Sequence, residues 1–456
     1  MFFNLEHSSD TALITKEGAF TYAQLKERSD FLVHGLAQIG VQPQQKALLL
    51  MQPTFDCFAL LLALLKIGAI PAIMPKISHL TSLLDCAQRL KPDIFVADTL
   101  AHIVRLVCGK PFRTVKININ TTNNAFIGRS LASLKGKNEP FDSQATFEAI
   151  CFSNSFRAIT VSLSERFKTL QSLFPLTEND IFLAHTPQAA LFAIAHGACA
   201  VIPPNNATSE EIIEIARQYH VSTAFGTPSV WKEIAAICQQ RRQKLSELKR
   251  LVLFGAPAPN TLQATILFNV LEQDADVHSV YMTAETGPIA VISASQTLSL
   301  PKHDGICVGK PIVKLEPLEG VAEIVVSGKR TNDLGALKDG NLWLFGRIND
   351  TIETAPEKHL YPLVCETAFN AIQGIRQSAL TGIGSKPNQI PVIVAEPTPE
   401  YYQELSNAPE KLLAEAHKAP SLQQIRNILF KHKLPMDDSG NIDRRELANW
   451  ATLRIK

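Results

Sequence analysis

Asp333 and Arg347 are the pair whose types and spacing most suggest chemistry. They lie in residues 331–353, on either side of Asp339-Gly340, a two-residue turn signal, and Asn341-Leu-Trp-Leu-Phe reads as a half-buried strand. An acid before a hairpin and a cation at its end are candidates for a binding site. On an ordinary surface hairpin the same two side chains would simply be solvated. Glu285 follows Tyr281-Met-Thr-Ala; a loop carboxylate suits a hard cation, and suits bulk water equally well. Gly255-Ala256-Pro257 follows an apolar run. Taken alone it reads as a tight strand-to-helix connection. His185, Gln188 and His196 flank the apolar run 189–195. That run fits a pocket wall or a core equally, and a lone histidine there is more often a satisfied core residue than a catalyst.

These residues sit on a regular alternation of elements. Short strands at 12–14 and 18–22 precede a helix over 22–39, with Thr21 as its N-cap and Gly40 at its close. Strands are expected at 46–51, 70–74 and 94–97 with helices over 54–67 and 79–90 between them. A polar, weakly patterned stretch, 117–139, follows. Strands near 149–153, 181–184, 200–202, 223–225, 250–254 and 277–281 then alternate with helices over 164–173, 209–219, 229–240 and 261–271. This pitch is that of a parallel sheet with helices on its faces. Residues 305–345 turn to short strands. Past Arg347 a new unit carries a helix over 362–372, strands at 376–383 and 391–396, helices over 409–416 and 421–430, and a tail. The fold class is therefore α/β. A large N-terminal domain of parallel-rich sheets flanked by helices, with a small β-rich subdomain, spans residues 1–347. A small α+β C-terminal lid spans 348–456.

The composition narrows the partners. A chain of 456 residues, 46% hydrophobic and 19% charged, is a globular protein of two or three domains. Its net charge of +1 and the absence of a basic, aromatic-interleaved stripe argue against nucleic acid. Eight scattered cysteines without a C-x-x-C fit a reducing cytoplasm and neither a disulfide framework nor a zinc site. The N-terminus lacks the regions of a signal peptide, and the most apolar stretch, 57–74, is broken by Lys66, Gly68 and Pro71. It is expected to be a buried helix and strand, not a membrane span.

Several motifs now fall in order: Ala19-Phe-Thr-Tyr-Ala-Gln-Leu, Gly35-Leu-Ala-Gln-Ile-Gly, Leu64-Leu-Lys-Ile-Gly-Ala-Ile-Pro, Phe254-Gly255-Ala256-Pro257, Tyr281-Met-Thr-Ala-Glu285, Val308-Gly309-Lys-Pro311, the stretch 331–353, and Leu434-Pro435 with Ser439-Gly440-Asn441-Ile442-Asp443-Arg444-Arg445-Glu446-Leu447. Together they resemble the adenylate-forming superfamily of acyl-CoA synthetases, adenylation domains and luciferases, over nearly the whole chain. Leu342-Trp-Leu-Phe-Gly-Arg, Leu360-Tyr361 ahead of Glu366, and Thr186-Pro-Gln-Ala-Ala-Leu-Phe resemble the β-lactone synthetases of the long-chain olefin pathway.

The resemblance implies ATP or AMP and magnesium as cofactors, and an acyl or β-hydroxyacyl substrate joined to the nucleotide as an acyl-adenylate. It implies that Gly255, Ala256 and Pro257 form the adenine shelf, with Tyr281 in the adjoining motif. Asp333 and Arg347 would hold the ribose, and Glu285 would be the magnesium-associated acid. It also implies a hinge at Asn349-Asp350 about which the lid swings.

Four positions depart from the pattern. Ala284 stands for a threonine and Met282 for a glycine. The phosphate-loop segment, Asn154-Ser155-Phe156-Arg157-Ala158-Ile159-Thr160-Val161, has neither glycine nor lysine, although backbone N–H groups must fold around anionic oxygens there. Arg157 could supply charge but not a cradle. Asn441 takes the place of the catalytic lysine, and Lys431 and Lys433 are only neighbours. The nucleoside end is kept while the polyphosphate end is not. Three readings stay open: a diverged AMP- or acyl-adenylate-binding protein with adenylation weak or absent, which could act beside an active partner enzyme; a working ligase with a rearranged phosphate site; or a non-catalytic scaffold.

Overall fold

The structure is a computed structural model that describes residues 9–74, 80–122, 127–137, 145–152, 157–301, 303–436 and 442–455. The chain forms two compact units. The first is Met1–Gly255 with Thr265–His278 and Met282–Pro288; the second is Ala256–Ala264, Ser279–Tyr281 and Ile289–Lys456.

Two parallel-rich sheets build the first unit. Among the described residues one sheet runs Arg129–Ser130, Ile117–Asn120, Ile94–Ala97, Lys46–Leu50, Ile70–Ile73, Glu148–Phe152, Ala158–Ser162; its last two strands are an antiparallel hairpin and its other neighbours run parallel. The other places Arg250–Leu253, Thr223–Gly226, Ile181–Ala184, Cys199–Val201 and Thr11–Thr15 in parallel, with Gly18–Thr21 folded back antiparallel. The apolar stretch becomes the helix Phe55–Ile67 and the strand Ile70–Ile73. Thr54 caps the helix, Gly68 ends it in the left-handed region, and nearly every side chain on it is buried, as expected of a helix apolar all round. Thr21 and Gln24 make a capping box for Tyr22–Gln38.

The second unit is antiparallel where it bears Asp333. Ala322–Val326, Lys329–Lys338, Asn341–Arg347 and Ile306–Pro311 are neighbours in that order, and Ala290 and Val291 pair with Pro311 and Lys310. Asp339 and Gly340 form a two-residue turn with φ of 52° and 75° between the paired Lys338 and Asn341, the conformation the Asp-Gly signal predicts. Gly309, at φ 91°, passes so close to the neighbouring strand that a Cβ would lie 2.1 Å from the Val291 carbonyl oxygen. The C-terminal stretch adds a sheet of Ile375–Ile383, Ile390–Pro397 and Asn427–Phe430.

Several expectations are corrected. The helix expected over 421–430 is a short 3-10 turn, Pro420–Leu422, followed by a strand, Asn427–Phe430, parallel to Ile390–Pro397. Ile428-Leu429-Phe430 is too short an apolar run for its period to be read, and the open strand edge decides it. The weakly patterned stretch 117–139 contains the strands Ile117–Asn120 and Arg129–Ser130. The helices Thr99–Cys108, Tyr402–Asn407 and Arg444–Thr452 were not expected at all.

Candidate functional site

In the second unit Asp333 does not merely precede the hairpin. It lies within the first strand, directly opposite Arg347. Its backbone is fixed from both sides. Asn332 before it has φ 62°, and the pairing shifts register just after it, between Leu334 and Gly335. The buried Thr331 hydroxyl donates to the Ile324 carbonyl at 2.8 Å and accepts from the Asp333 N–H at 3.2 Å. The Tyr281 hydroxyl donates to Asp333 Oδ2 at 2.8 Å, and Arg347 Nε stands 3.8 Å from Oδ1. Burial, and then the Asp333 charge, push the Tyr281 phenol well above its ordinary range, so it remains a donor across the working pH range. The Arg347–Asp333 pair is partly solvated, with side chains 39% and 22% exposed, and such pairs contribute at most about 1 kcal/mol to stability. What the arrangement supplies is an oriented, anionic acceptor. A carboxylate offers about four lone-pair sites, more than Tyr281 alone uses. Ala256 and Pro257 lie in the same unit, just before the helix Asn260–Asn269.

Gly255 and Glu285 belong to the first unit. Gly255 has φ 88°, and a Cβ there would meet Thr227 Cγ2 at an ordinary 3.7 Å; its conformation, not crowding, calls for glycine. Glu285 stands in a turn between the strands Asp276–Thr283 and Gly287–Ser293. The Thr283 hydroxyl accepts from the Thr286 N–H at 3.3 Å and shares a hydrogen bond with the Thr286 hydroxyl at 3.0 Å.

Arg166, which nothing in the sequence marked, is a neighbour of this turn. From the first turn of the helix Leu163–Leu173, capped by Ser162, its guanidinium donates to the Ala284 carbonyl and reaches Cys151 Sγ at 3.9 Å. Burial lowers its pKa, and the neighbouring Cys151 and Glu285 work in the opposite direction. The pairing of Glu148–Phe152 with Ala158–Ser162 runs out to Phe152 and Ala158. The expectations for residues 153–156 lie outside the described residues; Arg157 beside them is exposed.

Asn441 also lies outside the described residues, between Met436 and Ile442, which form an isolated antiparallel bridge. Lys433 is exposed, and Lys431 places its ammonium 5.0 Å from the centre of the Trp450 ring. Of the two histidines, His196 sets Nδ1 2.8 Å from the Phe192 carbonyl. His185 Nε2 and Trp231 Nε1 are buried with no partner, their ring centroids 6.4 Å apart. Burial pushes His185 down to about 4.

The AMP-binding enzyme family matches residues 4–136 and 161–346. The chain belongs to that family. As an AMP-binding enzyme family member it is 25% identical, over 95% of its length and 92% of the relative's, to an olefin β-lactone synthetase of Stenotrophomonas maltophilia. Its fold is shared with an amide bond synthetase from Marinactinospora thermotolerans, with a TM-score of 0.81, 18% identity and 98% of both chains covered. An anthranilate CoA ligase in complex with anthranoyl-AMP gives a TM-score of 0.81 at 14% identity, covering 98% of this chain and 95% of the other. These findings place the chain in the adenylate-forming superfamily of acyl-CoA ligases and β-lactone synthetase-like proteins. Among the described residues of this AMP-binding family member, no helix is long and apolar enough to cross a membrane.

Proposed function

We propose that this protein binds AMP, or the acyl-adenylate of a fatty or β-hydroxy acid, and that adenylation from ATP is weak or absent. The observation that carries the reading is Asp333, oriented by Tyr281 and faced by Arg347, in a chain whose phosphate-loop segment has no glycine or lysine and whose catalytic lysine position holds Asn441. In this reading Asp333 accepts the ribose hydroxyls and Arg347 completes the contact. Gly255, Ala256 and Pro257 shelve the adenine beside Tyr281. Residues 1–347 act as the nucleotide-binding domain and 348–456 as a lid turning near Asn349 and Asp350. The acyl class follows from the likeness to an olefin β-lactone synthetase, and the eight cysteines, every one free, fit a cytoplasmic setting. Magnesium is held by one or two carboxylates together with substrate phosphates, so Glu285 is a sufficient protein ligand if the ion comes in with nucleotide.

One observation favours a second reading, a working ligase with a rearranged phosphate end. Arg166 puts a half-buried guanidinium beside Glu285 and Cys151, a cation in addition to Arg157. The two readings separate on pyrophosphate release from ATP and magnesium with a panel of fatty and β-hydroxy acids. Background rates, with thermal stabilisation by AMP, support the first. Robust turnover that Arg166→Lys reduces, at an unchanged melting temperature, establishes the second. If AMP, ATP and a non-hydrolysable acyl-adenylate all leave the melting temperature unmoved, neither stands and the protein is a scaffold.

A further inference from the structure

The helix Thr99–Cys108 presents two unlike faces. Inward, Ala101 and Val104 pack on the core around Phe95 and Phe112. His102 is fully buried, its Nε2 3.0 Å from the Ile119 carbonyl and its ring edge-on to Phe95. Outward, Leu100, Ile103, Leu106 and Val107 are 69%, 43%, 57% and 79% exposed. At 3.6 residues per turn those four occupy one unbroken arc of about 120°. Isolated exposed apolar residues need no explanation, but a continuous ridge on one helix marks a surface that meets something.

The charge around the ridge says what that is. From Thr99 to Lys137 the chain has seven Lys and Arg and no Asp or Glu, although the whole chain carries only +1. Lys110, Arg113, Lys116, Arg129 and Lys135 are exposed and make no ion pair among the described residues. Lys110, Arg113, Lys116 and Arg129 stand on or beside the turn and strands that follow the helix, whereas Lys135 lies on the stretch that packs against Tyr22–Gln38. Lys110 opens the 3-10 turn that directly follows Thr99–Cys108. Arg129 pairs opposite Ile119, whose carbonyl holds His102. The Thr99 hydroxyl at the start of the helix bonds the Thr122 hydroxyl at 2.7 Å.

We infer that this face docks on an anionic lipid surface. An apolar ridge with cations around it is the pattern of a helix that lies in the membrane interface, its apolar side sunk about 5–10 Å into the headgroup boundary and its cations on anionic headgroups. Nucleic acid would engage the cations and leave four aliphatic side chains unused. A second copy of the same face would bring two basic zones together, since a two-fold contact places like against like. The inference does not rest on the nucleotide reading.

The test is co-sedimentation of the full chain with vesicles of phosphatidylcholine alone and of equimolar phosphatidylcholine and phosphatidylglycerol. The wild type sediments with the anionic vesicles, less as salt is raised, and not with the neutral ones. Lys110→Gln with Arg113→Gln lowers partitioning by roughly thirty-fold, and Leu106→Glu with Val107→Glu brings it to background. Both pairs are exposed and leave the melting temperature unchanged; Leu100→Gln with Ile103→Gln is the second apolar variant if the glutamates disturb folding. The inference is overturned if anionic vesicles do not retain the wild type, or if the apolar variants sediment as the wild type does. It is also overturned if sedimentation equilibrium shows a dimer that the glutamates dissociate, or if an RNA oligomer binds while vesicles do not.

Discussion

Asp333 is held by a strand bulge, a buried threonine and a tyrosine hydroxyl before any ligand arrives, so its substitution tests binding without rebuilding the hairpin. Asp333→Asn keeps the shape and removes the charge. A hydrogen bond to a charged group contributes about 1.5–3 kcal/mol against about 1 for a neutral one, so AMP affinity falls by roughly ten-fold in calorimetric titration. An unchanged affinity would mean that the ribose is held elsewhere. His185 gives a pH prediction. Its folded pKa, about 4, lies below the ordinary 6.5, so between those values the unfolded chain binds a proton that the folded one does not. Stability is full above 6.5 and declines as pH falls toward 4, by an order of 1–3 kcal/mol. In urea titrations across that window His185→Leu shows a shallower decline than the wild type. Asp333 and Arg347 were legible as an acid before and a cation at the end of an Asp-Gly hairpin; that they face each other was not, because the turn's register alone sets Asp333 against Gly346 and the bulge after Leu334 moves it opposite Arg347. Arg166 was not, because its neighbour Ala284 is remote in sequence and only packing joins them.

At the scale of elements, Arg444 fastens the C-terminal stretch. Its guanidinium binds Glu366 through two bonds of 2.7 and 3.0 Å, donates to the Leu380 carbonyl at 2.8 Å and lies 3.4 Å from Asp350. Burial opposes its charge, and Glu366 more than reverses that, raising its pKa. One side chain thus joins the helices Pro362–Phe369 and Arg444–Thr452, the strand Ile375–Ile383 and Asp350 of the expected hinge. Glu366→Leu leaves the Arg444 guanidinium with Asp350 as its one remaining carboxylate partner and costs up to about 3–5 kcal/mol in chemical denaturation. Glu366→Leu with Arg444→Met recovers most of that loss; a double variant as unstable as the single would show that packing, not charge, holds the stretch. The helix bearing Arg444 was not legible because its apolar positions are few, and residues 427–430 form a strand where a helix was expected because strand pairing overrides local pattern there.

At the scale of the molecule, the two compact units need not melt as one. AMP at about a hundred times its Kd stabilises the state that binds it by about 2.7 kcal/mol. Calorimetry with AMP is therefore expected to raise a nucleotide-binding transition in proportion to the logarithm of AMP concentration. A flat response would count against the nucleotide reading. The division into units does not follow the sequence order, because short segments such as Ser279–Tyr281 pack with the C-terminal unit while their neighbours pack with the first. No linear pattern encodes that exchange.

The amino-acid sequence by itself determined the family and the α/β alternation, because both are written in local terms: hydrophobic period, caps, turn signals and motifs in order. It also shows that residues 154–161 hold neither glycine nor lysine and that residue 441 is asparagine, since such absences need no coordinates. Only the tertiary structure decided that Asp333 is anchored by Tyr281, that Arg166 stands beside Glu285, and that the ridge of Thr99–Cys108 faces outward. Each depends on which distant segments come within a few ångströms, and that is settled by packing the whole chain.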